Sequence, residues 1–304
     1  METFREIGAR LSNWGRWGAT DEKGTTNLIT PAAVAAAARL VHDGRIFDLG
    51  IPFAADGPQL GNPRSNPVHL MRETGAGQDF ASGFRYADDY IFMPLQSASQ
   101  WDGLSHVYYD DRLYNGYPAS AVGPGGAEKL AIDKQGKGIA GRGVLLDLAR
   151  CQDVEWLERG QVITPADLDA ALEAHRVRLG SGDIVLLRTG WRRMYTVTGD
   201  AHRFMDGEPG IGLECAEWLH DHDVAALCAD NWAVEAVPAA DETQKFAVHC
   251  VLIRDLGMTL GEMLDFEELA EDCAADGRYE FFFTAPPIKF AKAVGSPINP
   301  LAIK

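Results

Sequence analysis

Between residues 96 and 106 the chain reads Gln96-Ser97-Ala98-Ser99-Gln100-Trp101-Asp102-Gly103-Leu104-Ser105-His106. Two amides, a carboxylate and an imidazole thus fall at spacings of four, two and four, and each can bind a divalent metal or move a proton. A straight strand cannot gather this set onto one ion. Four extended residues span roughly 13 Å, whereas ligand atoms lie about 2 Å from the metal they share. A helix would join Gln96 to Gln100 but turn Asp102 away, so the segment must bend. Gly103 and the small residues Ser97, Ala98 and Ser99 make a bend feasible. Taken alone, Asp102 and His106 also read as a surface pair with no catalytic role.

The pattern resembles the His-x3-His-x-Asp-x3-His signature of the metal-dependent cyclase family, which includes bacterial kynurenine formamidase and isatin hydrolase. Here the two leading histidines are replaced by Gln96 and Gln100. The likeness runs through most of the chain. It includes Ser12-Asn13-Trp14-Gly15-Arg16-Trp17-Gly18, Asn27-Leu28-Ile29-Thr30-Pro31, Arg142-Gly143-Val144-Leu145-Leu146-Asp147, Gly182 to Trp191, and Gly295-Ser296-Pro297-Ile298-Asn299-Pro300. A Gln-x3-Gln-x-Asp version is similar to the zinc-dependent trans-dienelactone hydrolase branch, which opens an unsaturated lactone. Glutamine carbonyls are harder and weaker donors than imidazole, which bears on the identity and affinity of the metal.

The resemblance implies an α/β protein with the swivelling β/β/α fold, a mixed, barrel-like central sheet and outer helices, commonly as a homodimer. It implies a divalent ion, zinc or manganese, held by Gln96, Gln100, Asp102 and His249, with Glu262 completing the centre and His106 moving the proton. The implied activity is hydrolysis of a lactone, cyclic amide or formamide, with a lactone favoured. The alternative is a small-molecule binding protein without metal, derived from such a hydrolase.

Other residues admit two readings. His249 precedes the apolar run Val251-Leu252-Ile253, so it is either a core histidine or a ligand, and Glu262 is either solvated or part of the centre. Trp14, Trp17, Phe92 and Trp101 are candidates to line an unsaturated or aromatic substrate, or else they pack the core. Arg16 is a candidate clamp for a substrate carboxylate, or a surface ion pair. Asp230-Asn231-Trp232-Ala233-Val234-Glu235 follows an apparent strand and presents polar groups where α/β pockets form, or is plain loop. His220-Asp221-His222 is expected to be the polar end of a helix. Ser99 and Ser105 lie in no nucleophile elbow, which disfavours a serine lactonase.

The elements that must position these groups are legible in outline. The stretch to about residue 30 shows no sustained period and reads as an irregular arm. Thr30-Pro31 and Thr164-Pro165 each pair a capping residue with the proline favoured at a first helical position, predicting helices through Leu40 and His175. A helix is expected over Leu213 to His222. Apolar runs predict strands at Ile46–Pro52, Tyr90–Leu95, Gly143–Leu148, Asp183–Arg188 and Val224–Cys228. Residues 56–84, rich in Gly, Pro, Asn and Ser, read as a long surface excursion. The 304 residues suggest one domain, 1–304.

Composition narrows the partners. With 44 acidic and 28 basic residues, a net charge of −16 repels phosphate backbones, so nucleic acid is not expected. A local arginine can still bind an anionic small molecule. No apolar stretch approaches the roughly 18 residues of a membrane span. Met1 to Glu6 lack the order of a secretory signal, and the five cysteines form no CxxC pair, so a cytoplasmic protein is expected. The partners predicted are a small-molecule substrate and a second copy of the chain.

Overall fold

The computed structural model describes residues 2–135, 138–239 and 242–304. Apolar β-branched and leucine-rich runs form four parallel strands, Ala140–Asp147, Ile184–Arg188, Ala226–Ala229 and Thr259–Glu262, at the centre of a nine-stranded mixed sheet. Beyond Ala140–Asp147 the sheet continues with Glu280–Thr284, Leu301–Ile303 and Ile46–Asp48. Beyond Thr259–Glu262 it continues with Gln100–Asp102 and Gly295–Pro297, and on both sides the added pairs are antiparallel. The sheet curls into a half-barrel with helices outside, as expected of the α/β fold class.

Strands buried on both faces should be apolar through their centres, and here the charged residues Asp147, Arg188 and Glu262 fall at the C-terminal ends. Val144, Leu146, Val185, Leu187, Leu227 and Leu260 pack on one face with Val248, Val251, Leu252 and Ile253 from a helical segment. Leu145, Ile184, Leu186, Ala226 and Cys228 pack on the other with Trp101, Phe281 and Phe283. The two-residue period of the strands makes this division. Gly261, directly opposite Trp101, leaves room for that indole. A Cβ there would lie 2.8 Å from Trp101 Cζ3 and 2.7 Å from Cys228 Sγ.

The helices predicted from their caps are present. Thr30 accepts from the Ala33 N–H and opens Pro31–Ala37, and Thr164 forms a capping box with Asp167 and opens Pro165–His175. The third covers Cys215–Asp221. Two expectations need correction. The first thirty residues are not wholly irregular, because Phe4–Leu11 is a helix capped by a Thr3–Glu6 box and packed through Leu11. Its start lacks the proline that marks those at Thr30 and Thr164. The excursion at 56–84 contains a strand, Val68–Glu73, which pairs with Asp88–Phe92 in a two-stranded ribbon outside the main sheet.

Candidate metal centre

Gln100, Trp101 and Asp102 form a regular strand, and the expected bends lie on either side of it, around Gln96 and at Gly103. The second bend closes with a His106 N–H donating to Gly103 O at 3.0 Å. Alternation sends Gln100 and Asp102 to one face and Trp101 to the other. Because Gln100 pairs with Glu262 and Asp102 with Leu260 in the neighbouring strand, Glu262 shares the face of the two strand residues. Gln96 returns to that face over Gly295, where a Cβ would approach its side chain to 2.9 Å.

His249 arrives from across this face. It ends the turn Ala247–His249, which runs on as a π-helix over Cys250–Leu256, a geometry recurrent at functional sites. Glu235 fixes its ring. The Glu235 carboxylate accepts from the backbone N–H of His249 at 2.9 Å and of Val248 at 3.3 Å, and it also holds His249 Nδ1. The other ring nitrogen, Nε2, then lies 3.2 Å from Glu262 Oε1 and 3.8 Å from Asp102 Oδ2.

One ligand atom from each of Asp102, His249 and Glu262 falls within 4.8 Å of the others, and all three residues are buried. Two buried carboxylates and an imidazole are costly to desolvate unless opposite charge compensates them. The electrostatics register that demand. Burial and the charge of Asp102 push the Glu262 carboxyl up. Burial opposes protonation of His249, but its contacts with Glu235 and Glu262 outweigh it and raise the imidazole well above its ordinary value.

The glutamines serve these carboxylates. Gln96 Nε2 donates to Asp102 Oδ1 and Gln100 Nε2 to Glu262 Oε2. Gln100 Oε1 is buried and has no hydrogen-bond partner among the described residues. An orphaned carbonyl oxygen beside two carboxylates and an imidazole is a donor set that suits a divalent cation. Of the expected ligands, Asp102, His249 and Glu262 therefore converge, Gln100 Oε1 is unpartnered among the described residues, and the Gln96 amide is engaged with Asp102.

His106 stands at the rim, its side chain 24% exposed and its Nε2 3.6 Å from Asp102 Oδ2. Burial lowers its pKa. Asp102 raises it, and the charges of Arg64 and His249 lower it further, so the ring is neutral at pH 7.

The residues expected on the substrate side are engaged elsewhere, which corrects that part of the reading. Trp101 is wholly buried on the opposite face, with Nε1 donating to Ala285 O at 2.7 Å. Trp14 donates to Arg254 O at 2.8 Å under the Arg254 guanidinium. Arg16 lies over Trp17 and pairs with Asp223 at 2.7 Å, near the N-terminal ends of the parallel strands, whereas Glu262 sits at a C-terminal end. Phe92 projects on the ribbon, 76% exposed.

Different aromatics border His249: Phe246 packs edge-on to its ring at 5.9 Å, and Trp232 packs against Phe246 at 6.3 Å. Glu208 is buried below them, accepting from the Trp232 and Ala233 N–H groups at 2.8 Å. Burial raises its carboxyl well above the usual range, and nearby Glu262 adds to the rise. Trp232 and Glu235 belong to the segment that sequence marked as a strand terminus. Phe246 and Arg64 carried no local signal beyond an aromatic three residues before His249 and a lone cation in a Gly- and Pro-rich stretch. His220 and His222 lie apart from this cluster, on Asp221 and Trp218 O.

Comparison with known proteins agrees with the geometry. A solved structure described as a novel cyclase is 44% identical, covers 96% of this chain and 99% of its own, and superposes with a TM-score of 0.90. Isatin hydrolase A from Labrenzia aggregata, bound to benzyl benzoate, shares the fold at 18% identity and a TM-score of 0.63, covering 89% of this chain and 96% of its own. An isatin hydrolase from Roseibium aggregatum is 26% identical over 144 residues, 45% of this chain, and the chain spans about half of that relative's length (51%). The sequence profile of the Cyclase family matches residues 47–236, and the chain belongs to that family.

Proposed function

We propose that this protein is a metal-dependent hydrolase that opens a lactone, cyclic amide or formamide, with a lactone favoured. The observation that carries the reading is the convergence of Asp102, His249 and Glu262 within 4.8 Å, with neutral His106 alongside. The names of the isatin hydrolases, and of a structural neighbour described as a potential metal-dependent hydrolase with cyclase activity, are consistent with it. Asp102, His249, Glu262 and the Gln100 carbonyl would hold the ion, and zinc or manganese fits the mixed nitrogen and oxygen donors. When bound, such an ion polarises a carbonyl and makes water a nucleophile at neutral pH.

The chain supplies the rest. Glu235 fixes the His249 ring through Nδ1 and so leaves Nε2 for the site. Gln96 and Gln100 steady the two carboxylates. His106, neutral at pH 7, takes the proton of the attacking water and returns it to the leaving oxygen or nitrogen. Phe246 and Trp232 present an apolar wall to a flat substrate. The preference for a lactone rests on the Gln-x3-Gln-x-Asp pattern.

We further take the active form to be a cytoplasmic homodimer acting on a small molecule. All five cysteines are free thiols, which suits a reducing compartment. No helix among the described residues is long and apolar enough to cross a membrane. Metal analysis of natively purified protein, followed by assays on lactones, aryl formamides and isatin-like imides, tests the proposal. About one divalent ion per chain and turnover of one of these classes are expected. No metal, and no activity when zinc or manganese is added, would leave the alternative of a metal-free binding protein.

A further inference from the structure

Beside the metal centre lies a cavity of about 440 Å³ that the proposed chemistry does not use. Its walls are apolar: Ile7 of the Phe4–Leu11 helix, Val162 and Ile211 of a two-stranded parallel ribbon, Leu213, Ala247 and Val248. Asp102, His249, Glu262, His106 and Phe246 do not line it. Cavities of roughly 300–1,000 Å³ take small organic molecules. The walls are held in place. Gln244 Oε1 accepts from the Phe4 N–H at 3.1 Å, which ties the first helix to the segment that precedes His249. Gly210 and Gly212 have no room for a side chain, since a Cβ would lie 2.3 Å from Glu235 C and 2.6 Å from Glu214 Oε2 respectively.

The charge of the lining is one-sided. Glu2, Glu214 and Glu235 contribute to it, and among the described residues no lysine, arginine or histidine does. Glu2 is met by Arg10 at 3.3 Å. Glu214 folds its carboxylate back over Gly212 and forms no ion pair or hydrogen bond among the described residues. Buried Glu235 spends Oε1 on the backbone N–H and the ring of His249, whereas Oε2 receives the Val248 N–H at a long 3.3 Å. An ionised carboxylate offers about four acceptor positions, so Glu235 keeps capacity for a further donor. Apolar walls with carboxylates and no cation are complementary to a hydrophobic molecule that ends in an ammonium group.

We propose that this cavity binds a small apolar amine in its protonated form, and that the amine is coupled to the metal centre through Glu235. A carboxylate behind a ligating imidazole raises the basicity of the ring and fixes its orientation. An ammonium group that draws on Glu235 therefore weakens the hold of His249 on an ion. Amine and metal oppose each other, and by linkage each lowers the affinity of the other by the same factor. The amine site stands apart from the hydrolase reading, whereas the coupling rests on His249 as a metal ligand.

Two measurements separate those dependencies. The first is calorimetric binding of 2-phenylethylamine, and of 2-phenylethanol as its neutral counterpart, to metal-free parent protein, to Glu214→Gln and to Val162→Phe. At pH 7 the parent should prefer the amine about tenfold, and Glu214→Gln should cut that preference about threefold or more. Val162→Phe fills the cavity and should weaken both ligands about tenfold while keeping the parent's zinc affinity. No preference for the amine in the parent, or a preference that Glu214→Gln leaves unchanged, overturns the site. The second is zinc affinity, read by competition with a chelator. Saturating amine should weaken it about fivefold or more in the parent and leave it unchanged in Val162→Phe. Zinc affinity indifferent to the amine overturns the coupling, and an effect that persists in Val162→Phe puts the amine on the metal itself and overturns the proposal. If the parent takes up no zinc, the metal reading fails, and the calorimetry still decides the amine site.

Discussion

His106 and Asp102 lie 3.6 Å apart but do different work, and substitution should separate them. Asp102→Ala removes a charged ligand and should lose the metal. His106→Ala should retain metal and fold while turnover falls by about 10²–10⁴-fold, the usual worth of general acid or base help. Metal content measured beside the hydrolysis rate checks both, and a His106→Ala protein running at the parent rate would remove the proton-transfer role. The glutamines make a second pair. Gln100→Leu deletes the orphaned carbonyl and leaves Glu262 Oε2 without its amide, so metal affinity should drop by about 10–100-fold. Gln96→Leu leaves that carbonyl in place and should weaken metal less. Titration against a competing chelator reads the order, and equal retention by Gln100→Leu and the parent would exclude Gln100 from the centre. At this scale the sequence contained more than its motif revealed. Trp101 lies between Gln100 and Asp102, so strand alternation alone turns it from the face those two share.

Among the elements, the pairing of Gln100–Asp102 with Thr259–Glu262 decides whether a site exists. Its tightest point is Gly261 against Trp101. Gly261→Ala would push a methyl group into the indole and Cys228, a form of overpacking that costs about 1–3 kcal/mol. The strand pair would have to shift, so the denaturation midpoint and metal affinity should fall together. A variant that unfolds at the parent's midpoint would show the register to be more yielding than the contacts imply. Helices with explicit caps, at Thr30 and Thr164, were legible because their signals are local. The Phe4–Leu11 helix carried an equally local signal, the Thr3–Glu6 box, but without the proline that marks the other two starts, and the Val68–Glu73 strand draws its partner from across a long excursion.

At the scale of the whole molecule, the ribbon gathers many of the exposed large apolar side chains among the described residues. Val68 lies opposite Phe92 and Leu70 opposite Tyr90, giving one face an apolar stripe, while Ile91 and Met71 occupy the other. All six are exposed. An interface between proteins typically removes about 800 Å² from each partner, and a ribbon with one face apolar and the other mixed, where His69 pairs with Asp89, contributes to such an area. We expect light scattering after gel filtration to give the mass of two chains, and Leu70→Asp combined with Phe92→Asp to shift it toward one. A dimer that survives the double substitution would place the contact elsewhere.

Local pattern was enough to set the strands buried on both faces, the capped helices and the bent segment carrying Gln96, Gln100, Asp102 and His106. Each depends on residues a few positions apart. Tertiary structure decided what meets that segment. Glu262 reaches Gln100 across 162 positions because two strands pair in one register, and a slip of one residue would send every side chain to the other face. Glu235 meets His249 at the head of the π-helix Cys250–Leu256, and Arg64 reaches the site on a loop stapled by Gln59 and Asn66. Those convergences are properties of packing, which is why Arg16 and four aromatics had the right chemistry and stood in the wrong place.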